Sequence, residues 1–450
     1  LLQDRAKRRK YGLPPQLRPP KLEDRTAQAR NYVGNADWVN AHITTTTDAC
    51  QTPIPPASRA SDATPNGRRT IRYRTGAPVL NFFSVQSARY AIKRETYKGV
   101  ELAIYYDAQH PWNVDRMIRS LKTGLDYYQA NFSPYQFRQA RILEFPDYAQ
   151  FAQAFANTMP YSEGCWCRAD QTQPDKRGYV TDGTGHELAH QWWAHQVIGA
   201  DMQGGTTLSE TLAQYSALIV MEKTYGPEGI RKFLKQELDS YLRSRGGELV
   251  EELPLIRVED QGYIHYRKGS LVMYLLRDRI GEARVNAALR RLIAQYAFKG
   301  APYPRSQDLV DALRAEAGPE HQQLITDLFE KITLYDLKTR TAAVTRRPDG
   351  RYDVVLTVEA TKAYADGRGK ETPVTIPAGE VFDVGVFTAE PGKAGFSSKN
   401  VLAFRTTPLR TGAQTIRLTV DRLPTHAGVD PYNKQIDRNS DDNAIKVTGG

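Results

Sequence analysis

At 450 residues with 40% hydrophobic content, the chain is long enough for two or three domains and a substantial core. Three cysteines exclude a disulfide framework, and no apolar run approaches the roughly 18 residues a membrane span requires. The net charge of +10 raises nucleic acid or anionic lipid as partners, but the basic residues are dispersed among acids and no nucleic-acid motif accompanies them, which excludes nucleic acid as the expected partner.

The first residues, Leu1 to Arg5, lack a secretion-signal pattern and do not begin with methionine, as expected for a piece of a longer polypeptide. One basic cluster follows, Arg5, Lys7, Arg8, Arg9 and Lys10; it reads either as a solvated charge run or as a segment near phospholipid headgroups. Residues 11 to about 70 are rich in Pro, Thr, Ser and Ala, with Thr44–Thr47 and Pro53-Ile54-Pro55-Pro56 as low-complexity pieces, and predict irregular coil with a few strands. From Thr70 the pattern turns to β, at 70–74, 79–83 and 100–106.

A helix is predicted from Asn113, where Val114, Met117, Ile118, Leu121 and Leu125 recur at helical spacing. A strand at 141–145 follows, and helices then dominate: 210–225, 230–242, 268–280, 283–296 and 306–317. Beyond about Asp336, apolar runs between Gly and Pro turns at 353–359, 381–387 and 414–420 predict a small β-sandwich. The expected division is therefore residues 1–108, 109–336 and 337–450 of an α+β chain. Asp441 and Asp442 read as part of a solvated polar tail.

The chemistry concentrates at His186-Glu187-Leu188-Ala189-His190. Positions i and i+4 share one face of a helix, so the two histidines can present imidazoles to one metal ion. A catalytic zinc takes three protein ligands and leaves the fourth position to water. Glu210 begins a second apolar run after nineteen intervening residues and is the natural third ligand; Gly199, Gly204 and Gly205 supply the turn between. Glu187, one step round the helix, would act as general base on the water, whose pKa the metal lowers to about 7.

This layout resembles the gluzincin metallopeptidases, and His186 to Trp193 is similar to the aminopeptidase N family, although the spacer to Glu210 is one residue longer than usual there and has the thermolysin length. The resemblance implies a thermolysin-like, mostly helical zinc domain, preceded by the end of an N-terminal β domain and acting on peptides. Tyr266-Arg267-Lys268-Gly269 resembles the family segment whose tyrosine hydroxyl donates to the oxyanion; His265 is the competing residue, since thermolysin-like enzymes use a histidine. Glu163, 23 positions before His186, occupies the place of the family glutamate that binds the substrate's free α-amino group.

Residues 190–199, 208–216 and 428–439 also look like a bacterial subgroup in which this domain follows an ABC-type permease, implying membrane association through an upstream part. Cys165 and Cys167 read as ordinary thiols and depart from the family pattern. Gly183 and Gly185, just before His186, imply either a helix that begins close to His186 or a looser site. Three readings follow: a zinc aminopeptidase, a thermolysin-like endopeptidase, and a non-catalytic module that binds a peptide or partner beside a transporter.

Overall fold

The computed structural model describes residues 5–15, 17–34, 36–172, 178–247 and 250–449; Leu1 to Asp4 of the N-terminal reading lie outside them. The basic cluster forms a short helix, Arg5–Lys10. The low-complexity threonine run lies inside one of the strands of this region, His42–Asp48, because β-branched threonine suits extended backbone. It pairs antiparallel with Arg68–Arg74, which also pairs with Ser58–Ala63.

A second sheet positions the candidate site. The hairpin Ala91–Tyr97 and Val100–Tyr106 leads into two parallel strands, Gln139–Phe145 and Thr158–Ser162, the last at the sheet edge. Residue 108 therefore has strands of one sheet on both sides of it. Parallel neighbours need a long crossover, and the helix Val114–Asn131 supplies it. Its predicted apolar stripe, Val114, Met117, Ile118, Leu121 and Leu125, is buried in the main core.

The helices Tyr179–Ala189, Leu212–Tyr225, Ile230–Ser244, Gly269–Ile280, Glu282–Tyr296 and Ser306–Glu316 follow. The first two pack against each other and share the core with Trp192 and Trp193, which are fully buried. An N-terminal segment lies across this unit: the amides of Gln203, Asp201 and Tyr303 donate to the carbonyls of Pro20, Arg30 and Gln28, and Tyr32 N donates to Gly199 O.

From Ile332 onward two four-stranded sheets share one core, with Leu337, Val354, Leu356 and Val358 of one facing Phe382, Val384, Val386 and Val429 of the other. Lys362, itself fully buried, joins this unit to the helical part through Asp327 at 2.6 Å and Glu380 at 2.8 Å. Asp441 of the polar tail is exposed, as expected, whereas Asp430, Asn433 and Asp437 just before it are buried and Lys338 holds Asp442 at 2.8 Å. Among the described residues no helix is long and apolar enough to cross a membrane.

Candidate metal centre

The histidine helix does not begin at His186; it starts at Tyr179, so Gly183 and Gly185 lie inside it. They allow close packing. A β-carbon on Gly183 would collide with the Trp166 indole nitrogen, and one on Gly185 would sit 3.3 Å from Ala217 Cα in the next helix. Their carbonyls accept hydrogen bonds from Tyr161 at 3.3 Å and Tyr128 at 3.0 Å. The glycines thus seat the helix against its neighbours.

His186 and His190 lie on one face with their Nε2 atoms 3.1 Å apart. Glu210 Oε2 completes the triangle at 3.4 Å from His186 and 3.3 Å from His190. Tetrahedral ligands about 2.0–2.1 Å from a zinc ion stand roughly 3.3–3.4 Å from one another, so the three atoms fit a zinc-class ion without rearrangement. His190 Nδ1 lies 3.1 Å from the Trp193 carbonyl, which can only accept; Nδ1 therefore carries a proton, leaving Nε2 as the ring's ligand atom. Burial opposes charge on Glu210, but the two imidazoles reverse that and hold its carboxyl well below the usual range.

Glu187 is buried beside this triangle. Burial raises its carboxyl pKa, the imidazoles pull it down and Glu210 adds to the rise. Glu187 Oε2 and His186 Nδ1 have no hydrogen-bond partner among the described residues. An unpaired buried carboxylate oxygen next to three convergent ligand atoms is the donor set a bound ion and its water would use.

Glu210 reaches the site from a π-helical turn, Thr207–Thr211, that opens the helix Leu212–Tyr225. Gly204, with φ of 80°, makes the bend before it. The Thr211 hydroxyl donates to the His265 carbonyl at 2.7 Å and fixes a second π-helical turn, Tyr263–Lys268, against the first. Tyr266 stands there with its ring 5.6 Å from that of His186, and burial and then Glu210 raise its hydroxyl's pKa; His265 is buried behind it, 4.3 Å ring to ring. Burial pushes the His265 imidazole down to about 4, so it is neutral near pH 7.

Glu163 is not in this group. It opens a third π-helical turn, Glu163–Cys167, and its carboxylate accepts from Arg168 at 3.4 Å and from the Asp147 amide at 3.3 Å. Cys165 and Cys167 are free thiols, the second buried. Sequence reasoning missed Tyr32, which comes from the N-terminal segment to face Glu210; burial, and then Glu210, raise its pKa. Tyr32, Leu80, Phe82 and Ile198 help wall a cavity of about 150 Å³ beside His190 and Glu210. No local pattern marks Tyr32, since only folding brings it to a motif far along the chain.

In comparison with known proteins, residues 112–331 match the peptidase family M1 domain. That stretch is similar to M1 peptidases. The match contains every residue of the metal triangle, Glu187 and Tyr266, but not Tyr32.

The M1 domain has aminopeptidase homologues. Human endoplasmic reticulum aminopeptidase 2 is 23% identical over 226 residues, which are 48% of this chain and 23% of that protein. Aminopeptidase N of Lactobacillus delbrueckii subsp. lactis is 23% identical over 276 residues, 57% of this chain and 31% of the relative. The chain thus spans less than a third of either relative. In fold, it is similar to Legionella pneumophila aminopeptidase A, solved in complex with aspartic acid, with a TM-score of 0.58 at 14% identity, covering 90% of this chain and 45% of that one.

Proposed function

We propose that this chain is a zinc-dependent aminopeptidase that removes N-terminal residues from peptides. The observation that carries the reading is the 3.1–3.4 Å triangle of His186, His190 and Glu210 with the unpaired Glu187 carboxylate beside it, inside a peptidase family M1 domain. His186, His190 and Glu210 would hold a zinc ion, which would supply Lewis acidity for the scissile carbonyl and acidify a water. Glu187, already raised by burial, is suited to take the proton from that water and hand it to the leaving nitrogen. The Tyr266 hydroxyl donates to the developing oxyanion, and the neutral, enclosed His265 supports it from behind.

Glu163 is the candidate anchor for the substrate's free ammonium group; this role rests on its place before the metal helix, because its present partners are Arg168 and the Asp147 amide. The arrangement agrees with a thermolysin-like catalytic unit flanked by β structure. The likeness of residues 190–199, 208–216 and 428–439 to proteins that adjoin a permease supports a membrane-associated setting.

The test is hydrolysis of one peptide with a free N-terminus and of its acetylated form, by wild type and Glu187→Gln. Cleavage of the free form alone, lost in the variant while metal content stays, is the expected result. Cleavage of both forms would replace the reading with an endopeptidase, and cleavage of neither, with metal bound, would replace it with a binding module.

A further inference from the structure

A second group of metal-type ligands lies outside the M1 triangle. Three parallel-strand neighbours end side by side: Val100–Tyr106, Gln139–Phe145 and Thr158–Ser162. At the carboxyl ends of such strands, loops diverge and leave a crevice, the usual place for ligands on open sheets. Each strand contributes one residue there. His110 sits in the turn after the first, Glu144 is the penultimate residue of the second, and Glu163 follows the third directly.

One nitrogen of His110 and one oxygen each of Glu144 and Glu163 lie within 4.8 Å of one another. His110 Nδ1 contacts Glu144 Oε1 and stands 3.9 Å from Glu163 Oε2. The scaffold aims these groups. The Asp107 amide donates to Glu144 Oε2 at 2.6 Å, leaving Oε1 turned to His110. Asp107 also shapes the His110 turn, accepting from the Gln109 amide at 2.9 Å through its side chain and from the His110 amide at 2.8 Å through its carbonyl. Glu144 has a side-chain exposure of only 4%, whereas His110 and Glu163 are 16% and 22% exposed, so the group is anchored at its base and open at its mouth. Two carboxylates so close, one of them buried, call for a cation between them. Arg168 reaches only Glu163, from the solvent side.

We propose that His110, Glu144 and Glu163 form a second divalent-cation site. An imidazole nitrogen with two carboxylate oxygens suits a zinc-class ion rather than calcium, which takes oxygen ligands alone. Filling the site engages the carboxylate that the aminopeptidase reading gives to the substrate's ammonium group, so the second ion would compete with substrate. That consequence rests on the aminopeptidase reading; the site itself does not.

Equilibrium dialysis of the full chain against buffered free Zn²⁺, with metal counted per chain, tests the site without any activity measurement. Wild type should hold two ions, His186→Ala one and His110→Ala one. A single ion in wild type would overturn the proposal and leave the group as an internal side-chain contact; so would a second ion that survives His110→Ala. Should His110→Ala fail to fold by circular dichroism, Glu163→Gln takes its place at a part-exposed position. It should weaken the second ion by about tenfold or more, and unchanged affinity would overturn the site equally.

Discussion

Gly183→Ala measures how far the glycines of the metal helix serve packing. In an unhindered helix the change would stabilise by about 1 kcal/mol. Here the new β-carbon meets the indole nitrogen of Trp166, a ring only 9% exposed and packed on Tyr161 and Tyr179 at centroid distances of 5.3 and 5.7 Å. Overpacking of that kind costs about 1–3 kcal/mol. If the ring is expelled altogether, the loss approaches the roughly 3–5 kcal/mol of truncating a buried tryptophan. We expect a net destabilisation of about 2 kcal/mol, read from urea unfolding of metal-free protein in a chelator so that ion binding does not contribute. Trp166→Phe removes the obstructing edge together with a buried N–H that has no partner among the described residues. The double variant should therefore be more stable than the sum of the two single changes by about 1 kcal/mol. Gly185→Ala, whose β-carbon meets its neighbours at 3.3 Å, should cost less. A Gly183→Ala protein as stable as wild type would refute the packing account.

Three further outcomes are expected. Tyr266→Phe should lower kcat about 100-fold or more with KM little changed; an unchanged rate would move the oxyanion role to His265. Glu210→Gln should weaken zinc by more than about 100-fold in competition with a chromophoric chelator, and full affinity in that variant would remove Glu210 from the ligand set. Burial, aided at Asp430 by Asp383, raises the carboxyls of Asp430 and Asp437 from 3.8 to about 7 in the folded chain. Between those values the folded state keeps protons the unfolded state has released, so their contribution is whole below pH 3.8 and is lost as pH rises to about 7. The slope is about 1.4 kcal/mol per pH unit for each group. Denaturation of wild type and Asp430→Asn at pH 5 and pH 7 should show the variant losing less stability over that interval, and identical losses would contradict the shift.

The metal triangle was legible because its chemistry is local: i, i+4 spacing sets His186 and His190 on one face, and an apolar run announces the helix that carries Glu210. Helical periodicity located the core helices to within a few residues, as at Val114–Asn131. What escaped was decided by contacts distant in sequence. Threonines 44 to 47 looked only like low-complexity sequence because their partner, Arg68–Arg74, is distant along the chain. Gly183 and Gly185 looked like helix breakers, since propensity says nothing of Trp166 or Ala217. Residues 428–439 were legible only as a resemblance, because a run of polar side chains does not reveal that the chain turns back onto a sheet. Tyr32, His110 and Glu144 carry no motif at all.

The π-helical turn that delivers Glu210 bears on how such motifs are counted. A turn closed from i to i+5 holds one residue more than an α turn, and one residue is the excess of the His190–Glu210 spacer over the usual aminopeptidase N length. Glu163 and Tyr266 occupy turns of the same wide kind. Spacing along the chain and direction in space are therefore partly decoupled at this centre: a one-residue insertion can be stored within a helix while the ligand still points at the same spot. In a centre built this way, the count between motifs is a tolerance, and the fixed quantity is the triangle of ligand atoms.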